Sequence, residues 1–199
     1  KLCNRTGDVM FNDPKYNELR TRVLKGSAIL DFLLFIETRR AAETNLLVEA
    51  KWLLEEIDET TKEEQIRKEN ILRTQALDCA YNKTICFMRE IFGISENASE
   101  SEKKKYQRKS FKGYKIVQII DFLKFNFLDC KTNIEMFEGM PSVNGYKEII
   151  IFFDEQLECY LTTLKYIDER FSKIYHAKEY SLIKEYASEI CDGINELKL

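Results

Sequence analysis

Apolar residues recur at helical spacing through most of the chain. In "NDPKYNEL" (12–19), Asp13 offers an N-cap and Pro14 suits the first helical position. From there to about Asp58 only Gly26 interrupts the pattern. Leu30, Leu33 and Leu34 repeat at helical intervals, as do Leu46, Leu47, Ala50, Leu53, Leu54 and Ile57. This predicts one long helix, or two with a break near Thr38–Thr44. In "ETTKEEQI" (59–66), Thr60 precedes Glu63 by three and Thr61 precedes Glu64 by three, so either pair makes a capping box. That helix runs to Phe92, where Gly93 supplies a left-handed cap. "ISENASESE" (94–102) is polar and reads as a loop, and a third helix follows to about Glu138, ended by Gly139. "MPSVNG" (140–145) is a turn; a fourth helix spans Tyr146 to about Ile174 and a fifth spans about Ala177 to Leu197. No internal repeat, coiled-coil heptad or interdomain linker is visible. The expected fold is all-α: residues 1–199 as a single domain, an up-and-down bundle of five or six helices stapled by disulfides.

Composition agrees with this. A chain of 199 residues, 44% hydrophobic and 33% charged, falls among folded proteins and is long enough for one domain with a real core or two small ones. Seven glycines and two prolines leave little turn chemistry for an all-β fold. The net charge of −3 favours neither nucleic acid nor a membrane surface as a partner. The densest apolar run, "AILDFLLFI" (28–36), is half the length of a membrane span and contains Asp31. Lys1, with a cysteine two residues on, suits a mature form whose leader has been removed.

The six cysteines are Cys3, Cys79, Cys86, Cys130, Cys159 and Cys191. None forms the close pair that a zinc site or a thioredoxin-type motif requires. An even number at wide spacing predicts three disulfides in an oxidising compartment. Cys79 and Cys86 cannot bond each other on one helix, because seven residues of rise separate them by about 10 Å. The favoured pairing is Cys130–Cys159 across the 139–145 turn, with Cys79–Cys191 and Cys3–Cys86, although Cys159–Cys191 competes. Three sequons point the same way: Asn4-Arg5-Thr6, Asn82-Lys83-Thr84 and Asn97-Ala98-Ser99. Asn97 lies in the polar loop. Asn82 falls close in helical angle to Cys79 and Cys86, so a glycan there crowds the cysteine face.

Catalytic signatures are absent. His176 is the single histidine, which excludes a di-iron bundle with two Glu-x-x-His motifs; any nucleophilic site would have to use it, and it lies near a predicted helix junction, where surface or C-cap roles are commoner. The acids Glu55, Glu56, Asp58, Glu59, Glu63 and Glu64 read as solvated helix ends. No phosphate-binding loop or dinucleotide fingerprint occurs. No enzyme activity, cofactor or metal is expected.

The sharpest positive signal is "KKKYQRKSFKGYK" (103–115), with seven cations in thirteen residues: Lys103, Lys104, Lys105, Arg108, Lys109, Lys112 and Lys115, interleaved with Tyr106, Phe111 and Tyr114. On one helix Lys105, Arg108, Lys109 and Lys112 share a face, near an N-terminus whose dipole opposes them. An anion-binding surface is expected, for an extracellular protein or a sulfated glycan rather than nucleic acid. The dense Phe, Ile and Leu of "DFLKFNFLDC" (121–130) and "YKEIIIFFDEQLECYL" (146–161) suit either a core or a pocket for a small hydrophobic ligand.

With its helices, six cysteines and sequons, the chain resembles the helical, disulfide-stapled salivary or surface proteins of blood-feeding arthropods and parasites. Its richness in Lys, Asn, Ile, Phe and Tyr is compatible with an AT-biased genome. Insect odorant-binding proteins are similar in being helical with six cysteines, but they space their second and third cysteines and their last pair more tightly. Here six and thirty-one residues follow Cys79 and Cys159 before the next cysteine, so no ligand-binding residue carries over. The resemblance implies a secreted, extracellular, non-enzymatic effector that modulates host immune or haemostatic proteins. The alternative is a secreted carrier of a small hydrophobic ligand.

Overall fold

The computed structural model of the chain describes residues 16–55 and 62–171. Among them the protein is mostly helical, with α1 (Asn17–Thr21), α2 (Gly26–Glu55), α3 (Lys62–Phe92), α4 (Glu100–Gln107), α5 (Tyr114–Glu138) and α6 (Tyr146–Phe171). Two short strands, β1 (Val23–Lys25) and β2 (Ser110–Lys112), precede α2 and α5. The expected Asp13–Pro14 start, the caps at Thr60 and Thr61 and the fifth helix lie outside the described residues, as do Cys3, Asn4, His176 and Cys191.

Within the compact unit that ends at Lys165, the long helices alternate in direction. Glu37 and Arg40 of α2 reach Arg89 and Asp78 of α3 in antiparallel order. Cys130 of α5 meets Gln156 of α6 across the turn at 139–145. Arg73 of α3 pairs with Glu155 of α6, and Phe87 of α3 stacks on Phe122 of α5 at 4.2 Å. The core is the stripe that helical periodicity produces: Ile29, Phe32, Leu33 and Ile36 from α2, Ala76, Ala80, Ile85 and Met88 from α3, Ile116, Ile119, Ile120 and Leu123 from α5, and Leu157 and Tyr160 from α6. Gly93 ends α3 with φ 64°, as expected of a left-handed cap.

Helix α2 passes through Thr38–Thr44 without a break, the first of the two alternatives for this stretch. Two expectations are corrected for α2 and the segment before it. The buried stripe of α2 is shifted from the one anticipated, so that Leu34 and Leu46 are exposed while Ile29 and Phe32 are buried. The predicted helix through 14–58 is interrupted at its start, because Val23–Lys25 is a strand paired antiparallel with Ser110–Lys112.

That ribbon exposes an internal repeat that sequence inspection misses. A short helix, a strand ending in Lys-Gly and two long helices occur twice, as α1–β1–α2–α3 and as α4–β2–α5–α6. Gly26 and Gly113 are equivalent, 87 residues apart in the chain. At the same offset Leu19 matches Tyr106, Leu24 matches Phe111, Ile29 matches Ile116, Phe32 matches Ile119, Leu33 matches Ile120 and Ile36 matches Leu123; all but half-buried Phe111 are buried.

The contacts obey the same symmetry. Gly26 N–H donates to the Lys109 carbonyl at 2.8 Å, and Gly113 N–H donates to the Arg22 carbonyl at 2.8 Å. A Cβ on Gly26 would stand 2.0 Å from the Tyr106 carbonyl oxygen; one on Gly113 would stand 1.8 Å from that of Leu19. Residue i touches j and the equivalent of j touches the equivalent of i, the signature of a twofold joint. Its axis passes the central ribbon pair, Leu24 and Phe111.

Candidate functional site

The basic stretch is built on three elements, not one. Helix α4 starts at a complete capping box: Ser99 Oγ accepts from Glu102 N–H, and the Ser99 N–H donates to the Glu102 carboxylate at 2.7 Å. This hydrogen bond, with a second from the Ser99 hydroxyl, holds the Glu102 carboxyl below its ordinary value. Helix α4 stops at Arg108, and β2 then pairs with β1. The expected shared face for Lys105, Arg108, Lys109 and Lys112 is therefore not formed, because the chain must leave the helix to make the ribbon. The expected conflict with a helix dipole is also absent: Glu100 and Glu102 occupy the first turn of α4, and Lys104 and Lys105 occupy the last.

The seven cations divide into two groups. Lys115 is half-buried; its ammonium donates to the Ile91 carbonyl at 2.6 Å and lies over the Phe92 and Phe111 rings, so it ties α5 to α3. Lys103 pairs with Glu100 at 2.9 Å. The Lys109 ammonium lies over the Tyr106 ring at 5.6 Å. Lys104, Lys105, Arg108 and Lys112 are exposed, and their side chains make no hydrogen bond or ion pair within 4 Å to any described residue. Lys103, Lys105 and Lys109 also line a cavity of about 200 Å³ between α2, the 93–98 loop and α4, with Glu102 on its wall.

Two of the interleaved aromatics point inward. Tyr106 is buried and stacks on Phe111 at 4.9 Å, and Phe111 meets Phe92 edge-on at 5.4 Å. Tyr114 remains 42% exposed. The ribbon adds a cation that the linear stretch does not contain. In the register Val23↔Lys112 and Lys25↔Ser110, Lys25 and Lys112 lie diagonally on the same exposed face.

The repeat provides a control within the molecule. At the positions of Lys103, Lys104, Lys105 and Arg108, the first half carries Tyr16, Asn17, Glu18 and Thr21. The same helix–strand–glycine joint thus forms without those charges. At Lys109 and Lys112 the first half carries Arg22 and Lys25, so both ends of the ribbon are cationic.

Two larger grooves lie elsewhere. One, of about 830 Å³, runs between α2, α3 and the loop after α3. Most of its charges are paired, Arg89 with Glu37 and Glu96 and Arg40 with Asp78; Glu90 also lines it. Half-buried Asn82 and exposed Cys86 line it, while Thr84 of the same sequon is fully buried and donates to the Ala80 carbonyl. A glycan on Asn82 would therefore enter this groove, whereas Asn97 stands exposed in the loop.

The second groove, of about 520 Å³, is apolar and lined by Leu72, Met136, Phe137, Ile149, Phe152 and Phe153, with Asn133 and Glu148 at its edge. It lies between the two helices whose aromatic richness suggested a pocket.

Cys79, Cys86, Cys130 and Cys159 are free thiols in the structure. Cys130 and Cys159 are buried on the neighbouring antiparallel helices α5 and α6. Burial pushes the Cys130 thiol up to about 12, helped by Asp129, and also raises that of Cys159. Among the described residues no group of three His, Cys, Asp or Glu side chains is placed to hold a metal ion, and no helix is long and apolar enough to cross a membrane.

No protein-family model, curated protein or solved structure matches the chain.

Proposed function

We propose that the chain is a secreted, non-enzymatic binding protein that acts on extracellular molecules, and that it holds an anionic partner on the cationic surface of α4 and the ribbon. The observation that supports this is the asymmetry of the repeat. Four cations stand on the second half where the first half has Tyr16, Asn17, Glu18 and Thr21. The joint does not need them, and the exposed side chains of Lys104, Lys105 and Arg108 make no hydrogen bond or ion pair within 4 Å among the described residues, Lys104 and Lys105 feeling the nearby charges of Glu100 and Glu102. Secretion is supported by the six widely spaced cysteines and the sequons; it calls for disulfides, while the four described cysteines are free thiols in the structure. The wider reading, an effector acting on host immune or haemostatic proteins, rests on the class resemblance and not on this surface.

The test is ion exchange at neutral pH. A chain of net charge −3 is expected to be retained on a cation exchanger at low salt, because a local patch rather than net charge governs the contact. Replacing Lys105, Arg108, Lys109 and Lys112 together with Ser is expected to abolish retention. Passage of the parent protein straight through the column, or elution of both proteins at the same salt, refutes the proposal.

The apolar groove between α5 and α6 supports the second reading, a carrier of a small hydrophobic ligand. Native mass spectrometry showing a co-purified lipid or amine, lost on Phe152→Glu, would favour it.

A further inference from the structure

We infer that the cationic surface is a site for a linear sulfated polysaccharide, laid from Lys25 and Lys112 on the open face of the ribbon, past Lys109 and Arg108, to Lys104 and Lys105 at the end of α4. The inference rests on the anion-binding reading and adds two things: a class of partner, and a residue far away in the sequence.

The shape of the surface points to a chain rather than a compact anion. Lys25 and Lys112 stand diagonally across the ribbon, at about 7–8 Å by ordinary antiparallel geometry. Lys109 joins the end of α4 to the ribbon, immediately before β2. Lys104 lies one helical turn back from Arg108, and Lys105 shares the rim of the 200 Å³ cavity with Lys109. The result is a run of cations from the ribbon to α4, long enough to meet several anionic groups of one polymer.

The chemistry of the surface selects among polymers. Protein partners are usually anchored by buried aromatic and apolar residues. Here Tyr106 is spent inside the fold and Phe111 is stacked against it, leaving exposed Val23 and Tyr114 as the nearby apolar groups. Single-stranded nucleic acids bind through aromatic platforms on which bases stack; no pair of exposed rings is presented. What remains is a set of flexible ammonium groups and one guanidinium. Such a surface ranks ligands by the density of negative charge along them, and sulfated polysaccharide is the extracellular polymer of that kind. Hydrated sugar hydroxyls can also hydrogen-bond at the rim of the lysine-lined 200 Å³ cavity.

The experiment measures the affinity of the full chain for a heparin oligosaccharide as a function of salt, for the parent, for Lys25→Ser and for Lys147→Ser at the start of α6. Each cation that neutralises an anion releases a counterion, so losing one contact lowers the slope of log affinity against log salt by about one. That change is expected for Lys25→Ser and not for Lys147→Ser. In competition, a single-stranded oligonucleotide and polyglutamate are each expected to displace the parent only at concentrations well above heparin.

An unchanged slope for Lys25→Ser overturns the path across the ribbon. Displacement by oligonucleotide or polyglutamate at the same concentration as heparin overturns the choice of partner. In either event, loss of cation-exchange retention in the quadruple variant shows that the broader anion-binding reading still stands, so the two failures are distinguishable.

Discussion

Adding one methyl group at Gly26 is expected to break the joint on which the cationic surface is mounted. Gly26 is not needed for an unusual φ; it is needed because α4 passes directly over it. In Gly26→Ala the new Cβ would stand 2.0 Å from the Tyr106 carbonyl oxygen, 2.9 Å from its carbon and 3.3 Å from the Lys109 carbonyl oxygen. All three are backbone atoms, so no side chain can rotate away. Helix α4 must move, and the 2.8 Å hydrogen bond from Gly26 to Lys109 moves with it. Overpacking a tight site costs about 1–3 kcal/mol, and a backbone-to-backbone clash belongs at the upper end. For a chain of this size about 3 kcal/mol lowers Tm by roughly 6–12 °C. Circular dichroism on heating reads that change, and heparin elution reads the displacement of Lys104, Lys105 and Arg108. Gly113→Ala is expected to do the same through Leu19. If Gly26→Ala melts within the shift produced by a neutral surface change of about 0.5 kcal/mol and elutes with the parent, the close approach of α4 to α2 is wrong.

Four further outcomes are expected. Ser99→Ala removes the capping box of α4 and costs that helix about 1 kcal/mol, visible as faster amide exchange confined to residues 100–107. Because the Ser99 N–H holds Glu102 below its ordinary value, the cap contributes fully above that value and weakens as pH falls through the lowered one; an NMR titration of the Glu102 carboxyl with a midpoint at or above 4.5 would contradict this. In protein reduced but still folded, alkylation at neutral pH is expected to label exposed Cys86 well before buried Cys130 and Cys159, whose thiols resist ionisation, whereas non-reducing peptide maps of secreted protein should show disulfides, and six free thiols there would sink the secreted reading. Thr84→Val keeps the volume of a buried side chain while deleting the Asn82 sequon; if Asn82 carries a glycan in the secreted protein, the variant loses one glycan's mass and melts close to the parent.

What the sequence made legible was the part of the fold written in long periods. The 3.6-residue stripe placed α3 and α6 within a few residues and the end of α5 at Glu138, and Gly93 and Gly139 marked two helix ends; the expected 94–102 loop and the single helix after it proved to be α4, β2 and α5. The ribbon was illegible because three-residue strands carry no alternation to read. Each strand's signal is an ordinary-looking Lys-Gly step, and the reason for the glycine is a carbonyl from a segment 80 or more residues away. The repeat was hidden for a related reason: what is retained between the halves is burial and one close approach, with Leu19 opposite Tyr106 and Phe32 opposite Ile119. For the site, charge density in 103–115 was visible in the sequence, but its geometry was not. Lys115 proved to be tied to the Ile91 carbonyl, and Lys25 could join the group only once β1 was known to lie beside β2.

The twofold joint makes each half of the chain a lock and a key for the other. In one molecule the loop after Gly93 keeps the two halves together, so the internal partner wins by proximity. A second molecule nevertheless offers the same surfaces, since the contact of Gly26 with the Lys109 carbonyl and that of Gly113 with the Arg22 carbonyl serve equally well between chains. Shortening the 94–98 loop until α4 can no longer fold back on α2 should therefore leave the joint intact and change only its ownership: two chains would exchange halves and close as a dimer with two ribbons. The surface that carries the lysines would then be displayed twice on one particle.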